Sequence, residues 1–279
     1  MNWLIVSDSG CNILNFESNS LTFKSIPLTI MVDNKEYIDD ENINPTELMD
    51  AVYNYDGKTS SACPSPEAFR AAFDGFDNII VFTLTSGLSG SYNSAMLAKK
   101  TELEKHPEKN IEIIDSLSAG PSITCMIYHT KRLIEQFGDF DQVVSKLHSD
   151  FNNFHLSFIL DRLDNFVKNG RVSKLVAATV GVLGIRIVGC ASKEGTLSVT
   201  HKARNFNIAI NKLISDMEEN GYKGGEVIIS HFLNLEGCKK IKEIITSKYP
   251  DSKISIMDNR GLCSYYAEKG GILVGYSSL

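Results

Sequence analysis

Residues Asn78 to Lys105 read NIIVFTLTSGLSGSYNSAMLAKKTELEK. The apolar run NIIVF gives way at Thr83 to TLTSGLSGSYNSA, dense in hydroxyls and glycines, and MLAKKTELEK that follows is rich in helix formers. The pattern predicts a strand through Leu84, a loop, and a helix from Ser91 to Glu104. Strand, loop and helix in that order form the unit of an α/β domain with a mainly parallel sheet.

The same unit recurs on either side. NWLIVSD at the start reads as a buried strand ending in the loop Asp8-Ser9-Gly10. SIPLTIMV reads as a strand that Pro27 pushes to a sheet edge or an irregular course. Helices are expected from Asn44-Pro45 through Val52, from Pro64-Ser65-Pro66 through Phe73, and from Pro121 to Phe137, with proline at permitted first-turn positions. IEIID lies between as a strand. Beyond Gly138 come a helix over 142–151, the strand HLSFIL, a helical stretch at 163–167, the turn Lys168-Asn169-Gly170-Arg171 and a helix from Ser173. IRIVGCAS and TLSVTH make a hairpin-like pair around Glu194-Gly195. A helix over 205–219, the strand EVIIS, a helix over 236–247, KISIM and GILVGY complete the chain. This organisation predicts two α/β domains, 1–152 with a mainly parallel sheet and helices on both faces, and 153–279 with a mixed sheet and helices.

With 279 residues, 43% of them hydrophobic, the chain can bury a substantial core. A net charge of −6 and the lack of any Lys/Arg block argue against nucleic acid as a partner. The six cysteines are scattered, with no CxxC pair, and no signal-like start precedes Asp8, so reduced thiols in a cytoplasmic protein are expected. The apolar runs are too short for an integral membrane segment.

The hydroxyl-rich loops carry the chemistry. A helix amino terminus offers unpartnered N–H groups and a dipole that favours an anion; glycines let a ligand approach the backbone, and hydroxyls add donors. Lys58-Thr59-Ser60-Ser61-Ala62-Cys63-Pro64 has the same character before another expected helix, and Asp8-Ser9-Gly10 is a third such loop. In open α/β sheets such loops gather at the carboxyl ends of the strands. Helix capping by Ser and Thr is the competing explanation for any one of them.

Other sites fit less well. The quoted loop lacks the Gly-Lys-Ser/Thr ending of a P-loop and misses a G-x-S-x-G elbow by one place. His231, at the end of EVIIS, reads better as a partly buried structural histidine than as a catalytic one. Neither His148 nor His155 has metal-ligand spacing, so neither a metal nor another cofactor is expected. Asp8 reads as a loop cap in preference to a catalytic carboxylate.

Taken together, VSDSG, IPLTI, Ser61-Ala62-Cys63-Pro64-Ser65-Pro66, LSGSYNSA, IIDSLSA and NGRVSK resemble the DegV family, bacterial fatty-acid-binding proteins that present acyl chains to a fatty acid kinase. LSGSYNSA stands in the place of the family's LSGTYQSA, and NGRVSK in that of its GGRIS. The resemblance implies a lipid tunnel between two domains and a long-chain fatty acid whose carboxylate is held by Ser61 and Ser89, with Thr59, Ser60, Gly90 and Ser91 nearby. It implies that Arg171 lies near the pocket mouth and the kinase-docking face. Transient membrane contact is compatible with such a carrier. The family's His-Thr-Gly-Pro-Gly near the C-terminus is missing, and Tyr266 falls nearest the histidine's place. Ile123, Met126, Ile127, Leu175, Val176, Val180 and Leu183 are apolar at helical spacing and are candidates for the tunnel lining or for plain core. Three functions are ranked: a non-catalytic lipid carrier, a serine-dependent acyl hydrolase or transferase with Ser89 as nucleophile, and a binder of another small anion.

Overall fold

A computed structural model describes residues 2–172 and 184–279. The expected helix at Ser173, with Leu175, Val176, Val180 and Leu183, lies outside the described residues.

The first half of the chain forms β1 (Trp3–Asp8), β2 (Leu21–Ile26), β3 (Thr29–Val32), β4 (Lys35–Ile38), α1 (Pro45–Tyr53), β5 (Ser60–Ala62), α2 (Pro66–Ala72), β6 (Asn78–Thr83), α3 (Ser91–Lys105), β7 (Asn110–Asp115), α4 (Pro121–Phe137) and α5 (Phe140–Asp150). Strands pair in the order β2-β1-β6-β7, all parallel. The central strands β1 and β6 are buried on both faces, so alternate residues serve two layers. Leu4 and Val6 pack with Phe69, Phe73 and Ala95 on one side, while Trp3 and Ile5 meet Ile123, Ile127 and Leu147 on the other.

SIPLTIMV is two strands and not one. Pro27 offers no N–H to a ladder, so β2 stops at Ile26 in the parallel sheet and β3 begins at Thr29 in a separate antiparallel sheet, ordered β4-β3-β5. In that sheet Ser61 pairs with Ile30.

The second half supplies β8 (Phe154–Leu160), α6 (Asp164–Lys168), β9 (Arg186–Ala191), β10 (Leu197–Ala203), α7 (Phe206–Glu219), β11 (Glu226–His231), α8 (Leu235–Lys248), β12 (Lys253–Asp258), α9 (Gly261–Ala267) and β13 (Ile272–Ser277). They build a mixed sheet ordered β10-β9-β8-β13-β11-β12. Ile159, Val188, Ile229 and Val274 point to α7 and α8, while Leu156, Phe158, Leu160 and Leu273 point to the opposite face. That opposite face borders the site.

Helix α4 packs on β13, β11 and β8 and also on β6, so the two sheets share it. Ile123, Met126 and Ile127 are fully buried in this shared core with Ile80, Phe82 and Ile228 and do not line a cavity. A helix sandwiched between sheets has no apolar face to spare.

Candidate functional site

In the parallel sheet β1 lies between β2 and β6, so the chain changes winding direction at the carboxyl ends of β1 and β6, where a crevice is expected. A cavity of about 310 Å³ lies there. Leu84, Thr85, Leu88, Ser89 and Gly90 reach it from the loop after β6, and Ser118 and Ala119 from the loop after β7. Leu156, Phe158, Leu160 and Leu273 form an apolar wall, because period-2 alternation in β8 and β13 turns them the same way. The tip of the β9–β10 hairpin, Gly195 to Leu197, closes one side. Gly195 has φ +72°, and a Cβ there would run into Thr85 Oγ1 and the backbone of Leu117, so only glycine lets the hairpin reach the opposite loops.

Polar groups stand at two places on this wall. On one, Ser61 Oγ lies 2.9 Å from the Tyr266 phenol oxygen. Behind it, Thr59 Oγ1 and the Tyr265 phenol are 2.6 Å apart, and Asn169 Nδ2 donates to the same phenol at 2.8 Å. Both tyrosines come from α9, which is fastened at its start by a distant residue: the Asp39 carboxylate accepts the N–H groups of Gly261 at 2.8 Å and Leu262 at 3.0 Å. An anion at a helix amino terminus is favoured by the unpartnered N–H groups. Burial raises both tyrosine pKa values, so the phenols stay protonated and able to donate.

On the other, Ser89 sits just before α3, whose N-cap position is Gly90. Ser89 Oγ accepts the Ser91 N–H at 3.2 Å and lies 3.1 Å from Ser91 Oγ. Gly90 lets the loops close up, since a Cβ there would stand 3.0 Å from Cys63 Sγ. Arg171 lines the cavity between the two places: its Nε donates to Leu88 O at 2.8 Å and its guanidinium lies 5.7 Å from the centroid of the Tyr266 ring. The turn NGR aims it there. Gly170 at φ +67° ends α6, and Arg171 N–H folds back to Phe166 O at 2.9 Å.

Carboxylates surround the site without lining it. Asp8 is fully buried, and burial pushes its pKa up to about 6 although the N–H groups of Leu84 and Gly10 and the Ser91 hydroxyl favour its ionised form. Glu268, which accepts Asn165 N–H at 3.1 Å, is pushed up to about 7 by burial. Cys263, on the cavity wall, is held well above the ordinary thiol range by burial and is a neutral, apolar lining group.

The sequence profile described as "Uncharacterised protein, DegV family" matches residues 2–278. The chain belongs to the DegV family. It is 45% identical to a DegV domain-containing protein of Streptococcus pyogenes serotype M1 over 278 residues, 99% of each chain. Its fold matches the crystal structure of the Streptococcus pneumoniae Fatty Acid Kinase (Fak) B3 protein loaded with linoleic acid, with TM-score 0.97, 40% identity and 100% of both chains covered. It also matches a DegV family protein from Eubacterium eligens loaded with heptadecanoic acid, with TM-score 0.95, 36% identity and 100% of both chains covered.

In this DegV chain Ser61, Ser89, Gly90, Arg171 and Tyr266 share the cavity. Thr59, Ser60 and Ser91 do not line it: Thr59 supports Tyr265, Ser60 pairs with Met31 in the small sheet, and Ser91 stands behind Ser89. Cys63, Thr85 and Ser118 are cavity residues that the sequence reading did not single out, although TLTSGLSG and IIDSLSA contain two of them. His231 is 5% exposed; its Nδ1 accepts Asn234 N–H at 3.3 Å and its Nε2 lies 3.6 Å from Asp258 Oδ1, an arrangement that fixes a loop. Among the described residues, no group of His, Cys, Asp or Glu could hold a metal ion, and no helix is long and apolar enough to cross a membrane.

Proposed function

We propose that this chain is a fatty-acid carrier that holds the carboxylate of a long-chain fatty acid between Ser61 and Ser89, buries the acyl chain against the apolar wall, and presents the headgroup to a fatty acid kinase. The observation that carries the reading is the pairing of two hydroxyl groups with one apolar cavity, Ser61 with Tyr266 on one side and Ser89 on the other. Hydroxyl donors favour an ionised carboxylate without a full counter-charge. Each buried CH₂ contributes about 0.8 kcal/mol, so a long tail supplies roughly 10 kcal/mol gross before the costs of ordering it. The relatives loaded with linoleic and heptadecanoic acids support this choice of ligand.

Arg171 lies beside Tyr266 on the cavity wall, and in this reading it is the residue that faces the kinase. The carrier leaves chemistry to that partner. Ser89 is hydrogen-bonded to another serine, whereas a nucleophilic serine requires a general base in reach.

Mass spectrometry of small molecules released on denaturation tests the reading, with Ser61→Ala and Ser89→Ala alongside. A fatty acid in the wild type, depleted in both variants, is the expected result. Absence of lipid from the wild type overturns it in favour of a smaller anionic ligand, and lipid retention unaffected by either substitution overturns the assignment of the headgroup to Ser61 and Ser89.

A further inference from the structure

Helix α6 lends Phe166 to the cavity wall, and the turn that ends it carries Arg171. Both asparagines of this segment reach back to one residue of α9. Asn165 Nδ2 donates to Tyr265 O at 2.7 Å, and Asn169 Nδ2 donates to the Tyr265 phenol oxygen at 2.8 Å. Tyr265 and Asn165 are buried, and so is Thr59, whose Oγ1 lies 2.6 Å from the same phenol oxygen. These residues stand behind the cavity wall, where they touch no ligand and can only hold the groups that do.

The chemistry of the groups sets the direction of each bond. Asn169 Nδ2 also lies 2.8 Å from the carbonyl oxygen of Asn165, which can only accept, so the amide cannot be turned over. Its two protons go to Asn165 O and to the phenol. The phenol has one proton to give. Facing a donor in Asn169, it gives that proton to Thr59 Oγ1. Thr59 immediately precedes β5, the strand on which Ser61 meets Tyr266 at 2.9 Å. A row of donors thus runs from the Arg171 turn, through Tyr265, to the strand that carries Ser61. The rings follow the same course, since Tyr266 packs 4.9 Å from Tyr265 and 4.8 Å from Phe166.

We propose that Asn169 is a positioning residue for the headgroup site: by donating to the Tyr265 phenol it fixes Ser61 and Arg171 relative to one another, so that the headgroup donor and the cation beside it keep one geometry. The inference rests on the fatty-carboxylate reading of the site. Ser61 comes from the first half of the chain and Arg171 from the second, and Tyr265 is the reference that both share. A ligand gains from this because groups already in place lose less freedom on binding than groups that must be ordered.

The test is calorimetric titration of the full chain with linoleic acid at about pH 8, well above the ordinary aspartate range, joined to NMR of tyrosine-labelled protein. Asn169→Asp keeps the shape of the side chain, but its ionised carboxylate can only accept. A role in packing alone predicts no change from this substitution. The expected result is an affinity lower by about threefold to tenfold, the worth of one hydrogen bond. In a Tyr265→Phe background the same substitution is expected to cost much less, because the two residues act through one bond. In the wild type the Tyr265 hydroxyl proton, assigned by its disappearance in Tyr265→Phe, is expected to lie close to the Thr59 methyl group. In Asn169→Asp it turns to the carboxylate and that contact is lost. Should Asn169→Asp fail to fold by circular dichroism, Asn169→Ala takes its place in the cycle with Tyr265→Phe. Unchanged affinity in the folded variant, equal losses in both backgrounds, or a wild-type Tyr265 proton directed away from Thr59 overturns the inference. Failure of the wild type to bind linoleic acid removes the fatty-carboxylate reading, and the inference with it.

Discussion

Ser61 Oγ and the phenol oxygen of Tyr266 are 2.9 Å apart although 205 residues separate them in sequence. The small sheet brings one and α9 the other, so the pair reports whether the two halves of the site are assembled. Tyr266→Phe deletes the partner and keeps the ring that packs 4.8 Å from Phe166. The expected outcome is an unchanged fold and a several-fold weaker fatty-acid affinity, corresponding to about 1 kcal/mol for one neutral hydrogen bond, read by titration.

Glu268 makes stability depend on pH. Its folded pKa is raised from the ordinary glutamate value of 4.5 to about 7, with burial the largest cause. Its contribution is complete below the unfolded value and is lost as pH rises through about 7. Urea unfolding is expected to show a protein less stable at pH 8.5 than at pH 5, by on the order of 3 kcal/mol from this group. Glu268→Gln, which can still accept Asn165 N–H, is expected to flatten the profile. Asp8 acts in the same direction through about 6.

Cys63 is the cysteine to label. It is exposed and lines the cavity, while Cys11, Cys125, Cys238 and Cys263 are buried. A maleimide is expected to modify Cys63 first in protein stripped of lipid. Added fatty acid should slow that reaction, measured by intact mass over time, with Cys63→Ala as the control.

Gly195→Ala should loosen the cavity wall. An L-residue at this left-handed position costs about 1–2 kcal/mol before any collision, and the new Cβ meets Thr85 and Leu117. A lower urea midpoint and faster hydrogen exchange at Thr85 N–H, which bonds Ser118 O at 3.0 Å, are the expected outcomes.

What the sequence made legible was local. Asn78 to Lys105 shows its strand, loop and helix in order because periodicity, glycine and helix propensity all act within a few residues, and Ser89 is found in the cavity from the same signals. The small sheet was harder to read. Ser60–Ala62 is a strand of three residues without alternation, and it exists because β3 pairs with it. Helix α9 opens with glycine and carries two adjacent tyrosines; its start is fastened by Asp39, 223 residues from Leu262, and no window of sequence contains both. Ile123 and Met126 show the reverse case, since an apolar stripe looks the same whether it faces a lipid or a second sheet.

The helix shared by the two sheets has a consequence for how the molecule comes apart. Ile5, Ile80 and Phe82 from one sheet and Ile228 from the other close over α4 in a single cluster. Cutting the chain near residue 152 would leave each piece with a bare sheet face or a bare helix stripe, an aggregation-prone surface in water. The halves are therefore architectural units and not autonomous folders: separately expressed fragments should be insoluble, and the intact chain should melt in one cooperative step.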